Sequence, residues 1–194
     1  GLEMARETGM ALHASTQCAI RTPQKARFTE SLGYGRLVLE RELSLSQIKA
    51  IRSSVEAELE CFVHGAMCIS YSGRCLISSF LTGRDANRGE CTHPCRWSYQ
   101  LVEEKRPGQY MPVFEDDRGT YLYHSRDLCM IGHLGDLIET GADSLKVEGR
   151  MKNALYAATV ARAYRRAIDD WFDSPEIYTD NNPDINLYGS KSNI

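Results

Sequence analysis

The sequence predicts an α/β fold, a (β/α)₈ TIM-type barrel of which only part is present. Short apolar strands alternate with amphipathic helices, and that alternation implies a parallel sheet, open or closed. The strands are not uniformly apolar, as parallel strands buried on both faces usually are. Leu59, Cys61 and Val63 alternate with Glu60, Phe62 and His64, and Leu145 and Val147 with Lys146 and Glu148. A barrel lumen that collects the charged face explains this pattern, and so does an edge strand with a solvated face. Four such strands are half of eight, so the chain reads as a piece of something longer.

Residues 1–8 read as the end of a helix closed by Gly9. Residues 10–17 alternate as a half-buried strand does. A helix from about 23 to 32 and a second strand at 35–40 follow. A helix then opens near residue 43, where Ser44 and Gln47 fit a capping box and Leu43 and Ile48 a hydrophobic staple. Residues 57–64 form the third strand. A long cysteine-rich insertion, about 64–140, separates it from a short helix, a turn at Gly141 and a fourth strand at 144–148. The last helix, about 151–172, turns Tyr156, Val160, Ala163, Ala167 and Trp171 inward. One unit thus spans 1–173. Residues 174–194, rich in Pro, Asn, Asp, Gly and Ser, read as a linker or the start of a missing C-terminal region.

The 194 residues are 42% hydrophobic and 25% charged, with a net charge of −3. That balance argues against a general nucleic-acid binder while leaving room for a local basic patch. No apolar run approaches the roughly 18 residues that span a bilayer, and the first ten residues lack a signal peptide's apolar block. A cytoplasmic protein with no membrane partner is expected. In that reducing setting the seven cysteines point to metal or redox chemistry rather than disulfides.

Cys68, Cys75, Cys91 and Cys95 crowd one segment, and Cys129 follows at a distance. Structural zinc sites use cysteine pairs separated by two to four residues, and only Cys91 and Cys95 come near that. An iron–sulfur cluster is held by four thiolates, which scattered loops can supply. Gly65, Gly73, Gly83 and Gly89 permit close turns, and Arg74, Arg84, Arg88 and Arg96 offset thiolate charge. Small buried hydrophobes are the plain alternative, and that account suits Cys18 and Cys61.

The stretch ECFVHGAMCISYSGRCLISS resembles the signature of the collagenase-like peptidase family U-32, in which a Glu, a Phe and a Gly lead into two cysteines around a Gly. Glu60, Phe62, Gly65, Cys68, Gly73, Cys75 and Ser78 match it. GRDANRGECTHPCRW and SRDLCMIGHLGDLIETGADSLKVEGRMK resemble its next two blocks, so the likeness covers about residues 10–172. The family name promises a peptidase, yet the chain has no H-E-x-x-H and no G-x-S-x-G. The resemblance implies instead an oxygen-independent hydroxylase with a four-iron, four-sulfur cluster, zinc being the alternative metal. Members of the family hydroxylate transfer-RNA uridine, ribosomal-RNA cytidine or the ubiquinone ring, with prephenate implied as the hydroxyl source. The implied ligands are Cys68, Cys75, Cys91 and Cys129, with Cys95 able to replace Cys91. The SRDLC block is closer to the RNA-modifying branch, so the implied partners are tRNA and an electron donor.

Several other residues are candidates. Lys146, Glu148 and Arg150 end the fourth strand and can bind an anionic substrate or form a buried ion network. Arg41 and Glu60 have the same two readings. His64 can donate a proton beside the cluster or be a core histidine; His93 is a weaker candidate. Arg162, Arg165 and Arg166 form either an RNA-contacting ridge or a solvated helix face. Trp97 and Tyr99 can stack on a base or pack in the core. Among these, Glu60, His64, Lys146 and Glu148 are the catalytic candidates, and Arg41 and Arg150 the substrate-binding ones. The expected function is RNA hydroxylation at a tRNA pyrimidine. A collagenase-like peptidase and a zinc-stabilised RNA-binding module are the competing readings.

Overall fold

A computed structural model describes residues 2–174, apart from 69, 72, 98, 103, 104, 106, 109, 113, 114, 117, 118 and 121–126. The expected tail from 174 onward therefore lies outside the described residues, Ser174 excepted. Helix α1 (Leu2–Thr8) ends at Gly9, whose φ of +67° is the left-handed closure. Strand β1 is only His13–Ala14, and a turn of 3₁₀ helix at Thr16–Cys18 takes the end of the expected strand. Helix α2 (Pro23–Ser31) is capped by the Thr22 hydroxyl, which accepts from the Lys25 amide at 3.2 Å. Strand β2 (Arg36–Val38) leads to helix α3 (Leu45–Arg52), where Ser44 and Gln47 form the full capping box.

Strand β3 (Glu58–Ala66) is the longest strand, and the cysteine segment after it holds helix α4 (Ile77–Thr82). Two small hairpins follow, β4 (Gln100–Val102) with β5 (Tyr110–Pro112) and β6 (Glu115–Asp116) with β7 (Gly119–Thr120). Strand β8 (Asp127–Cys129), helix α5 (Leu134–Ile138), strand β9 (Ser144–Val147) and helix α6 (Ala154–Asp173) complete the described elements.

Parallel pairing joins β1 to β2, β2 to β3 and β3 to β9, so parallel strands that neighbour in the chain neighbour in the sheet. The Glu60 carbonyl accepts from Leu39 and the adjacent Leu59 carbonyl from Asp143, which puts β2 and β9 on opposite edges of β3. Beyond a register shift between Phe62 and His64, β8 pairs antiparallel with β3, setting Cys129 opposite His64. Among the described residues the sheet has five strands and is open, not closed into a barrel. Strand β8 was not expected, because three residues are too few to show a period.

Helices and sheet share one core. Leu37, Leu59, Cys61 and Val63 of the strands meet Ile48 and Ile51 of α3, Leu134 and Leu137 of α5, and Val160 and Ala163 of α6. The expected inner face of α6 is present, with Tyr164 added to it; its hydroxyl donates to the Val63 carbonyl at 2.7 Å and accepts from the Met130 amide at 3.1 Å. Trp171 packs on α5, where a Cβ on Gly135 would come within 2.6 Å of the indole nitrogen. No helix among the described residues is long and apolar enough to cross a membrane.

Gly65 has a φ of +108°, and a Cβ there would overlap the Glu148 carbonyl oxygen and reach 2.9 Å from the Glu148 Cβ. Gly65→Ala is therefore expected to cost about 3 kcal/mol in urea unfolding, from backbone strain plus overpacking. Gly83→Ala, at φ +71° with nothing within 4 Å, should cost about 1 kcal/mol. Equal losses in the two variants would refute the close approach.

Candidate functional site

Every parallel strand of the sheet delivers residues to one cavity at its carboxyl end. Gln17 comes from beyond β1, Arg41 from beyond β2, Met67 and Cys68 from beyond β3, and Glu148 and Arg150 from beyond β9. The cavity holds about 150 Å³. Cys75, Cys91 and Cys95 complete its wall together with His93 and Arg96.

Backbone contacts hold the cysteine segment over the sheet. Gly73, at φ +73°, lies so close to the turn after β1 that a Cβ would come within 2.8 Å of the Gln17 carbonyl oxygen. Asn87 clamps Cys75, accepting from its amide at 3.1 Å and donating to its carbonyl at 2.9 Å. Ser78 and Thr92 are joined by their hydroxyls at 3.1 Å. Arg96 pairs with Asp127 and also donates to the Met67 carbonyl at 3.4 Å, while Lys152 reaches Asp127 at 3.3 Å. Arg150 donates to the Gly89 carbonyl.

Phe62 forms a floor for the charged wall. The Arg41 guanidinium lies 3.6 Å from the Phe62 ring centroid and the Lys146 ammonium 5.5 Å from it. Arg41 also reaches Glu148 at 3.5 Å and the Cys68 sulfur at 3.6 Å. Although Cys68 as a residue is exposed, its sulfur sits against this wall. Desolvation pushes its thiol up, and the Arg41 charge opposes that shift. Glu148 Oε1 accepts from the Arg150 amide at 2.8 Å, which holds the turn after β9.

The expected site residues fall into two groups. Cys68, Cys75, Cys91 and Cys95 line the cavity with Arg41, Lys146, Glu148 and Arg150. Glu60, His64 and Cys129 are not among its lining residues. Glu60 is committed to an ion network, at 2.7 Å from Lys146, 3.5 Å from Arg36 and 3.4 Å from the Ser144 hydroxyl. Cys129 packs partly buried against the hydrophobic core. Past the register shift the His64 ring lies 5.9 Å from Tyr156 and 5.7 Å from Tyr164, both on α6. It is buried, Nδ1 has no hydrogen-bond partner, and desolvation pushes its pKa down.

In kind, the donor set suits a soft metal or an iron–sulfur cluster: four thiols open to one cavity, with Arg41, Arg96 and Arg150 beside them. In position the sulfurs do not close on one point. Among the described residues no three His, Cys, Asp or Glu groups are gathered closely enough to hold a metal. Asn87, Asp127 and Phe62 all fall within the family-like blocks, but their roles as clamp, cation partner and floor were missed at the sequence level, because those roles depend on contacts with distant segments. Arg165 and Arg166 pair with Asp169 at 2.6 Å and Asp170 at 3.8 Å on an exposed face, which favours the solvated-face reading. The Tyr99 hydroxyl donates to the Pro94 carbonyl at 2.6 Å, whereas Trp97 is exposed.

The model of peptidase family U32 matches residues 2–188. An uncharacterized protease of Methanocaldococcus jannaschii is 45% identical over 177 residues, 89% of this chain and 42% of that protein. The tRNA hydroxylation protein P of Escherichia coli is 39% identical over 201 positions, 83% of this chain and 44% of that protein. A 23S rRNA 5-hydroxycytidine synthase of Escherichia coli is 42% identical over 158 residues, 81% of this chain and 23% of that protein. The chain thus spans less than half the length of each of these relatives. No solved structure matches.

His64 makes stability depend on acid. Its folded pKa lies below the ordinary 6.5, so the unfolded chain binds more protons in acid. The contribution is complete above pH 6.5 and is lost as pH falls through the folded value. Unfolding free energy should therefore decline below pH 6.5, and His64→Phe should flatten that decline. His93, shifted the same way, leaves a residual slope. An unchanged slope in urea titrations of His64→Phe would count against a buried neutral imidazole.

Proposed function

The chain belongs to peptidase family U32, and from that membership we propose that it is the cluster-binding part of an oxygen-independent RNA hydroxylase acting on a tRNA pyrimidine. The observation that carries this reading is the cavity itself. Thiols and cations meet at the carboxyl ends of four parallel strands, where β/α folds keep their chemistry. Sequential neighbours in the sheet also suit a (β/α)₈ barrel in the longer protein better than a doubly wound sheet, whose order reverses at a switch point.

Cys68, Cys75 and Cys91 are the proposed ligands of a four-iron, four-sulfur cluster, with the fourth sulfur from Cys129 or Cys95. When bound, the cluster supplies one-electron transfer, and an external electron donor is its proposed partner. The protein's own groups do the positioning. Arg41, Lys146 and Arg150 offer charge-assisted hydrogen bonds to the carboxylates of the hydroxyl donor, prephenate in this proposal. Glu148 is the carboxylate nearest the reacting space and the candidate for moving a proton. Glu60 holds Lys146 in place, and His64 supports the sheet beneath α6. Phe62 keeps water from the floor. A pyrimidine has to leave its stack to enter so small a cavity.

The family's name and the archaeal relative's name favour a peptidase. Against it, the chain carries neither H-E-x-x-H nor G-x-S-x-G.

Metal analysis of full-length protein purified without oxygen tests the proposal. Iron and sulfide in a brown protein are expected, and both should be lost in Cys68→Ser and Cys75→Ser. Stoichiometric zinc in colourless protein would favour the RNA-binding module instead. Cluster loss in only one of Cys95→Ser and Cys129→Ser identifies the fourth ligand. Arg150→Ala should raise KM for the donor about 10- to 100-fold, the worth of one charge-assisted hydrogen bond. Deletion of the gene should remove a hydroxylated nucleoside from cellular tRNA, detected by mass spectrometry.

A further inference from the structure

A second cavity adjoins the thiol-lined one. It is open to solvent, holds about 460 Å³, and is lined by Gln17, Arg21, Thr22, Lys25 and Arg74 among others. Gln17 and Gly73 line both cavities, so the two adjoin along these residues. Tyr71 links the two: it lines the thiol cavity, is 59% exposed, and carries the guanidinium of Arg21, a residue of the second cavity's lining, 4.4 Å from its ring centroid.

The charges here are unequal in what they can bind. Arg21 is already paired at 3.1 Å with Glu40, whose side chain is fully buried. Lys25 and Arg74 are exposed and form no ion pair among the described residues. Two exposed cations therefore face this cavity, Lys25 with its ammonium 5.6 Å from the Phe28 ring centroid and Arg74 with its charge acting on Glu40, and the capped start of α2 at Thr22 lies beside them. The cavity is hydrophilic and cationic, which suits an oxyanion better than an apolar ligand.

We infer that this second cavity seats a backbone phosphate of the RNA strand, next to the nucleotide whose base enters the thiol cavity, with Tyr71 as the stacking wall between them. The inference rests on the RNA reading above and names how the strand is held. An aromatic face flanked by cations is how single strands are gripped without reading their sequence. The shared lining explains why the two functions are adjacent: a nucleotide carries its base and its phosphate on opposite sides of one sugar. Free inorganic phosphate shares the same chemistry, and the test below separates it from the strand.

The experiment uses full-length protein and a fluorescently labelled, uridine-containing single-stranded oligoribonucleotide, followed by anisotropy over a range of salt. Lys25→Ala with Arg74→Ala should weaken binding about tenfold and reduce the salt slope by about 0.7, the value for one lost phosphate contact on a single strand. Tyr71→Ala should weaken binding about 5- to 100-fold with the salt slope unchanged. Lys25→Arg with Arg74→Lys keeps both charges and should bind as wild type, which separates charge from misfolding. If wild type binds the strand and the double alanine variant matches it in affinity and slope, this site is refuted while the RNA reading stands. If wild type binds no RNA, both fail. If inorganic phosphate binds wild type and not the double alanine variant while RNA affinity is the same in both, the cavity is a free-anion site and the inference is overturned.

Discussion

The organisation of the site depends on the close approach of Gly65 to Glu148. Strand β3 ends there and the chain turns off into the cysteine segment, while the turn after β9 presses on the same spot. A side chain on residue 65 would force the two apart. With glycine, the Glu148 amide donates to the His64 carbonyl at 2.8 Å, and the Glu148 carboxylate reaches across to Arg41. One missing Cβ therefore brings the ends of β2, β3 and β9 to a common cavity. Gly73 does the same for the cysteine segment against the turn after β1.

Around that contact three carboxylates gather the cations. Glu60 pairs with Lys146 and Arg36, Glu148 holds Arg41 at the cavity wall, and Asp127 gathers Arg96 and Lys152. Each cation is thus held by a carboxylate and still has donors to spare, since guanidinium and ammonium groups make more hydrogen bonds than one carboxylate can accept. Phe62 beneath Arg41 limits solvent on one side, which strengthens whatever these donors bind. The sulfurs lie in the same enclosure, beside fixed positive charge. That is a setting for anionic ligands, whether a thiolate-bound cluster or a carboxylate.

Much of this was legible in the chain, because local rules act locally. The capping box at Ser44 and Gln47, the Gly9 closure and the apolar face of α6 are set by residues within a turn or two of one another. The alternation in β3 was likewise readable up to Phe62. There a register shift ends it, and His64, which continues the pattern on paper, lies instead against Tyr156 and Tyr164. Strand β8 was not readable at all: it is three residues long and exists because β3 outruns its parallel neighbours and offers an unpaired edge.

By itself the sequence determined the α/β alternation, the helix ends, and the concentration of thiols, glycines and arginines between residues 64 and 97. It also carried the family likeness, which is a property of residue order alone. Only the tertiary structure decided that Cys68, Cys75, Cys91 and Cys95 share a cavity while Cys129 packs against the core, and that Glu60 is spent on Lys146 rather than facing that cavity. The physical reason is that these outcomes depend on contacts between residues tens of positions apart. Such contacts form only when strand pairing and glycine-permitted close approaches bring separate segments together, and no local pattern records them.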